Sequence, residues 1–111
     1  MITMLIKLVV DGRCRRQFLE TMRCLLGRYR VEEGCLSCRL CADIEDANSL
    51  LLIGDWRSVG DLSKHLHGER FRALLASTES LSSAPKYSVS TVADRTDFET
   101  AVELFGWVAP R

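Results

Sequence analysis

Residues 35–56 read CLSCRLCADIEDANSLLLIGDW, and this stretch has the pattern of a β-hairpin. In its first part, over residues 35–43, apolar residues alternate with polar ones as they do on a half-buried strand. Residues 44–49 form a polar turn, and residues 50–56 are apolar at nearly every position, which is typical of a buried strand. The stretch therefore predicts two neighbouring antiparallel strands.

The residues on either side of the hairpin extend the pattern. Before it, residues 2–10 alternate at period two and predict a strand, and residues 13–29 repeat at three and four and predict an amphipathic helix. After it, Ser58 and Asp61 form a capping box that begins a short helix, which Gly68 interrupts. The remaining predicted elements are a second helical piece at residues 69–81, a strand at residues 87–92 and a C-terminal helix that ends at Gly106.

This order, β-α-β-β-α-β, is that of the ferredoxin-like split βαβ motif. It predicts an α+β domain with a four-stranded antiparallel sheet and helices on one face. We expect the domain to occupy residues 1–93 and a helical tail to occupy residues 94–111. A chain of 111 residues supports one such core rather than two.

Charge and composition exclude several functional classes. The chain has 15 Lys and Arg against 15 Asp and Glu, interleaved along the sequence, so it lacks the basic stripe of a nucleic-acid-binding or membrane-surface protein. No segment is apolar for long enough to span a bilayer, and the apolar beginning lacks the basic region of a signal peptide. We expect a cytoplasmic protein whose five cysteines are reduced thiols and whose ligand is a small molecule.

The predicted strands carry apolar residues on both faces of the sheet. On the third strand Leu52 and Ile53 fall on opposite faces, and the first strand adds Leu5 and Val9 opposite its main apolar face. The helices cover one face only, so the other predicts an interaction surface. We expect a homodimer closed sheet against sheet. The alternative is that the C-terminal helix folds back over this face.

A set of short motifs also occurs in a defined order along the chain. They are Glu33-Gly34-Cys35-Leu36-Ser37, an acidic turn with Asp43, Glu45, Asp46 and Asn48, then Asp55-Trp56-Arg57-Ser58, Leu62, His65-Leu66 and Phe71. In this order they resemble the antibiotic biosynthesis monooxygenase family, over residues 2–92. The resemblance implies a dimeric α+β barrel. It also implies a cofactor-independent monooxygenase that oxidises a small aromatic anthrone or quinol with O2, although other relatives cleave haem.

Without a metal or flavin, O2 reacts only with a substrate that supplies the electrons itself, such as a deprotonated hydroquinone or anthrone. The protein must then remove a proton and hold the ring in a dry pocket. His65 is the candidate acid/base because the pKa of histidine lies near neutrality, and Trp56 is the candidate wall against which the ring stacks. The predicted pocket residues are Leu52, Cys38, Arg39 and Phe71, and for Arg39 the alternative is a solvent-exposed position on an edge strand. For His65 and Trp56 the alternative is a purely structural role.

The sequence departs from the family pattern at positions that carry chemistry. Leu52 stands where anthrone-oxidising members have an Asn, and Leu75 stands where haem-degrading members have a His ligand. Residues 2–10 also lack an Asn, so we expect neither haem cleavage nor a cofactor. Arg70 stands where many relatives have a second His. These departures make a non-catalytic ligand-binding or accessory dimer the alternative to a monooxygenase.

Cys35, Cys38 and Cys41 have CxxCxxC spacing. A zinc or iron–sulfur site needs about four ligands that converge on one point. Strict alternation would place Cys35 and Cys41 on one face of the strand and Cys38 on the other, so we expect no metal site. A thiol-based redox sensor is a third functional hypothesis.

Overall fold

The computed structural model describes residues 1–79, 81, 84–91 and 106. The elements in chain order are β1 (Ile2–Val9), α1 (Arg15–Tyr29), β2 (Cys35–Ala42), β3 (Ser49–Trp56), α2 (Val59–Leu66), α3 (Glu69–Thr78) and β4 (Lys86–Thr91). The strands form one antiparallel sheet in the order β2-β3-β1-β4, which confirms the predicted ferredoxin-like α+β fold. The predicted C-terminal tail lies outside the described residues, apart from Gly106.

The hydrophobic core lies between the sheet and the helices. On β1 the buried residues recur at every second position, namely Ile2, Met4, Ile6 and Leu8. Ile6 pairs with Leu52 of β3, and Met22 of α1 is fully buried in the same cluster. Full burial of one such side chain contributes roughly 1.5–3 kcal/mol, so the period-two pattern of β1 determines which face the helices cover.

Helix α1 begins two residues later than the periodicity predicts. The side chain of Asp11 accepts hydrogen bonds from the backbone N–H groups of Arg13, at 3.1 Å, and Cys14, at 3.3 Å. This turn competes locally with the helix, so the first helical residue is Arg15.

The cysteine pattern on β2 differs from the prediction because the strand contains an irregularity. The register shifts between Cys35 and Ser37, so that Cys35 pairs with Trp56, and the strand then continues regularly. Cross-strand partners share a face, which places Cys35 and Cys38 on the helix side and Cys41 on the other side. The expectation that Cys35 shares a face with Cys41 is therefore wrong.

The face of the sheet opposite the helices is partly apolar, as predicted. Its half-buried apolar residues include Leu5, Val9, Leu51 and Ile53. No helix in the described part of the chain has the length and apolar character needed to cross a membrane.

Candidate functional site

The indole of Trp56 is buried at the end of β3, with 1 % of the residue exposed. Gly54, two positions earlier on the same face, leaves room for it, because a Cβ there would lie 3.0 Å from Trp56 Nε1. This Nε1 is buried and has no hydrogen-bond partner among the described residues. A buried donor without a partner costs about 1–3 kcal/mol, so this N–H has a hydrogen-bonding capacity that the described residues leave unused.

The imidazole of His65, on α2, is enclosed by aromatic rings and is 4 % exposed. It stacks on Trp56, with ring centroids 4.4 Å apart and an angle of 27° between the planes. Tyr29 meets it edge-on at 4.6 Å, and Phe71 is tilted against it at 5.3 Å. We call these four side chains the aromatic cluster. They join α1, α2, α3 and β3 at one end of the sheet.

One ring nitrogen of His65 is held by Glu32, in the turn after α1. His65 Nδ1 and Glu32 Oε2 form a hydrogen bond, whereas Nε2 has no hydrogen bond to a described residue. Burial lowers the pKa of His65, and the nearby Glu32 carboxylate opposes this effect only in part. The ring is therefore neutral near pH 7, with Nδ1–H donating to Glu32 and the lone pair on Nε2.

The turn after α1 is fixed against the start of α2. Gly34 has a φ of 81°, and a Cβ at this position would overlap the side chain of Asp61. The carbonyl oxygen of Gly34 accepts a hydrogen bond of 2.8 Å from the backbone N–H of Arg57. Asp61 accepts from the hydroxyl of Ser58, the N-cap of α2, at 2.9 Å, and this bond is the main reason why the pKa of Asp61 is lowered. These contacts hold the glutamate-bearing turn against the histidine-bearing helix.

A cleft of about 270 Å³ opens beside the aromatic cluster. Its lining residues are Glu32, Glu33, Trp56, Asp61, Lys64, His65 and Arg70. The charged groups are arranged in pairs: Arg57 contacts Asp61 at 3.0 Å and Glu33 at 3.6 Å, and Lys64 contacts Glu33 at 3.7 Å. The cleft therefore has a polar, charge-paired rim and an aromatic floor.

Residues 1–77 match the sequence model of the antibiotic biosynthesis monooxygenase family. The chain belongs to the antibiotic biosynthesis monooxygenase family. This confirms the resemblance seen in the motifs, and membership supports a monooxygenase-like function in general terms. The comparison with curated proteins gives no match.

Solved structures agree with the family at the level of the fold. A Deinococcus radiodurans protein named after the same family has a TM-score of 0.81 and 17 % identity, over 88 % of this chain and 98 % of that one. PA3566 from Pseudomonas aeruginosa has a TM-score of 0.74 and 22 % identity, over 84 % and 94 %. Rv0793 from Mycobacterium tuberculosis has a TM-score of 0.77 and 18 % identity, over 86 % and 98 %. At these identities the likeness shows the fold alone.

The structure brings together some of the site residues predicted from the family motifs. His65, Trp56 and Phe71 meet in the aromatic cluster. Cys38 and Leu52 are buried in the hydrophobic core on the same face as Trp56, at 4 % and 3 % exposure. Arg39 pairs with Ile53 on the opposite face of the sheet and is exposed, so it does not join them.

Tyr29 of the aromatic cluster and Glu32 are residues of this site that the sequence analysis missed, and Glu32 is the one that contacts a ring nitrogen of His65. In the sequence it belongs to the Glu32-Glu33-Gly34 run, which marks only the end of a helix. Its partner His65 lies 33 positions later, and neither helical nor strand periodicity connects the two. The family match covers both positions, since it spans residues 1–77, but it does not by itself indicate that the two side chains meet.

The thiols of Cys35 and Cys38 are not activated, and the described residues offer no cluster placed to hold a metal ion. The described residues contain no group of three or more His, Cys, Asp or Glu side chains placed to hold a metal ion. All five cysteines are free thiols. Burial raises the pKa of Cys38 to about 12 and also raises the pKa of Cys35, so both remain protonated at neutral pH. This chemistry disfavours a redox sensor built on these two residues.

Proposed function

We propose that this family member is a cofactor-independent monooxygenase that oxidises a small aromatic anthrone or quinol with O2. The observation that carries the proposal is the position of a neutral, buried histidine next to a buried indole N–H without a partner. His65 presents Nε2 as a base, Glu32 holds Nδ1, and Trp56 presents a donor. A proton acceptor and an oxyanion donor are the two groups that this reaction needs from the protein.

In the proposed reaction His65 Nε2 removes a proton from the substrate, an anthrone methylene or a phenolic hydroxyl. The resulting carbanion or phenolate is electron-rich, and the indole N–H of Trp56 donates to its oxygen. For an anthrone, the anion gives electrons to O2 and a C–O bond forms. The O–O bond then breaks, so that one oxygen atom stays as the new carbonyl and the other leaves as water with the two methylene hydrogens. The balance is anthrone plus O2 giving anthraquinone plus water.

Dimerisation belongs to the same proposal. The face of the sheet opposite the helices carries Leu5, Val9, Leu51 and Ile53, and a second copy of the chain would remove these side chains from water. The five free thiols support a reducing, cytoplasmic location.

A non-catalytic ligand-binding dimer is the second candidate, and two observations favour it. Leu52 is buried in the core and offers no polar atom to orient a substrate oxygen beside Trp56. The rim of the cleft is charged, whereas a pocket for an aromatic ring is mostly apolar. In this case the aromatic cluster would be a packing unit with a ligand bound above it.

Oxygen uptake by metal-free protein tests the proposal, with an anthrone and a set of hydroquinones as probes. The matched variants are His65→Gln and His67→Gln, because His67 is the other histidine of the chain and is exposed at the C-cap of α2. We expect His65→Gln to lower turnover at least about tenfold and His67→Gln to leave it unchanged. With ¹⁸O₂, one labelled oxygen atom should enter the anthraquinone.

Absence of turnover with every probe would reject the monooxygenase. The binding dimer is then tested by fluorescence. A Trp107→Phe variant leaves Trp56 as the single tryptophan of the chain. Saturable quenching of Trp56 without turnover would support the second candidate.

A further inference from the structure

Arg70, the second residue of α3, completes a chain of charged groups that ends at His65. Its Nη1 lies 3.7 Å from Glu32 Oε1, while Glu32 Oε2 is the oxygen bonded to His65 Nδ1. The same Nη1 donates to the backbone carbonyl of Arg28 at 3.2 Å. The exposed fraction of the side chains rises outward, from 3 % at His65 to 18 % at Glu32 and 44 % at Arg70. One carboxylate thus stands between a buried imidazole and a half-exposed guanidinium.

We infer that Arg70 is a positioning residue that acts on His65 through Glu32. By pairing with one carboxylate oxygen, it limits the negative charge that the other oxygen presents to the imidazole. A carboxylate without this cation would attract a proton to Nε2 more strongly, so a larger fraction of the imidazole would be imidazolium at a given pH. That fraction cannot act as the base, because the proton on Nε2 occupies the lone pair that the reaction needs. This inference deepens the proposed function and rests on it.

The other charged and titratable groups around His65 are engaged elsewhere. From α1, the hydroxyl of Tyr29 donates to the backbone carbonyl of Arg70 at 2.9 Å, and burial raises the pKa of Tyr29, so this phenol carries no charge. From α2 itself, Lys64 pairs with Glu33. Asp61, also on α2, pairs with Arg57. On β2, the thiols of Cys35 and Cys38 interact electrostatically with Glu32, and burial raises the pKa of both, so they carry no charge at neutral pH. Trp56 and Phe71, the other rings described here as packed against His65, do not titrate.

The side chain of Arg70 can be changed without releasing α3. The backbone carbonyl of Arg70, which accepts from Tyr29, is independent of the residue type and fixes the first turn of the helix against α1. Replacement therefore alters the charge and leaves this anchor in place. Arg72, two positions later on the same helix, is exposed and has no ion pair with a described residue, so it is the matched control.

The test is an NMR titration of the 111-residue chain, following the imidazole protons of its two histidines, with His67 as the internal reference. We expect Arg70→Met to increase the proton affinity of His65 about twofold to fivefold, the range of a half-exposed ion pair. Arg70→Lys keeps the charge and should stay close to the parent protein, and so should Arg72→Met. In Arg70→Met, the apparent pKa of the acid limb of the kcat/KM–pH profile, measured with the anthrone probe, should also rise relative to the parent.

A double-mutant cycle tests whether Glu32 is the intermediary. In a Glu32→Gln background the effect of Arg70→Met should shrink to less than half, because the group that transmits it is gone. An equal effect in both backgrounds would overturn the inference, and so would an Arg70→Met titration that matches Arg72→Met or Arg70→Lys. The titration needs no substrate. A shifted titration without oxygen uptake would reject the proposed function alone, and uptake without the shift would reject the role of Arg70 alone.

Discussion

The imidazole of His65 stacks on the indole of Trp56, with ring centroids 4.4 Å apart and ring planes at 27°. The candidate base and the candidate oxyanion donor are therefore in direct contact within the core. Tyr29 and Phe71 close the other sides of the imidazole. Because the cluster proposed to carry the chemistry also packs the core, a variant of a neighbouring charged residue can change charge without removing ring area.

Glu32→Gln should lower activity while the protein stays folded. The amide keeps the size of the side chain but removes the charge that raises the proton affinity of His65, so the pKa of His65 should fall further. The amide also no longer fixes the tautomer with the lone pair on Nε2. We expect kcat/KM for the anthrone probe to fall at least about tenfold, measured by oxygen uptake.

Glu33→Gln is the matched control for the titration of His65. Glu33 lies in the same turn, but its side chain is 68 % exposed and pairs with Arg57 and Lys64. The His65 titration of this variant should coincide with that of the parent. Parental kcat/KM in Glu32→Gln would show that the glutamate does not orient the base.

The lowered pKa of His65 predicts that stability falls in mild acid. The unfolded chain takes up a proton near the ordinary histidine pKa of about 6.5, whereas the native state does so only at lower pH. The unfolded state thus binds more protons in this window, so the free energy of unfolding rises with pH there. The contribution of His65 to the free energy of unfolding is complete above about pH 6.5. It is lost as the pH falls toward the pKa of His65 in the native state, at no more than about 1.4 kcal/mol per pH unit.

Urea unfolding at a series of pH values between about 7 and 5 measures this slope. Carboxylates also contribute to it, so the informative quantity is the difference between parent and variant. His65→Gln should show a shallower slope than the parent. A steeper or unchanged slope in His65→Gln would mean that the native pKa of His65 is not lowered.

Gly34→Ala should destabilise the protein by at least about 2 kcal/mol. The residue has a φ of 81°, which costs a residue with a Cβ about 1–3 kcal/mol, and the added methyl would overlap Asp61. Gly27 provides the opposite case, because it lies in α1 with open space around its Cα. Gly27→Ala should stabilise by up to about 1 kcal/mol. Thermal unfolding of both variants measures the two changes in stability. Equal changes in Gly34→Ala and Gly27→Ala would contradict the prediction.

The sequence was sufficient for the order of the elements because that information is local. Period-two alternation, the Ser58 capping box and the break at Gly68 all correspond to features of the structure. The side on which Cys35 lies was predicted wrongly, because the register shift exists only in the pairing of β2 with β3. Non-local pairing is not visible in the alternation of one strand.

The candidate site was predicted only in part, because some of its residues lie in recognisable motifs while others are brought together by non-local contacts. His65, Trp56 and Phe71 were identified because they coincide with family motifs, and the fold brings them together. The contact between Glu32 and His65 joins residues 33 positions apart and depends on how the turn after α1 meets α2. Arg39 was assigned to the pocket from its charge, whereas its pairing with Ile53 puts it on the far face of the sheet.

The proposed homodimer predicts that one charge on the face opposite the helices is enough to separate the protomers. Ile53 lies on β3, a central strand, and is half-buried on this face, so Ile53→Glu would place a carboxylate inside the interface without a partner. Light scattering after size exclusion should give twice the chain mass of 12.5 kDa for the parent and 12.5 kDa for the variant. Val31→Glu is the control, since Val31 is 77 % exposed and lies in the turn after α1. A parent protein that is monomeric at micromolar concentration would reject the dimer.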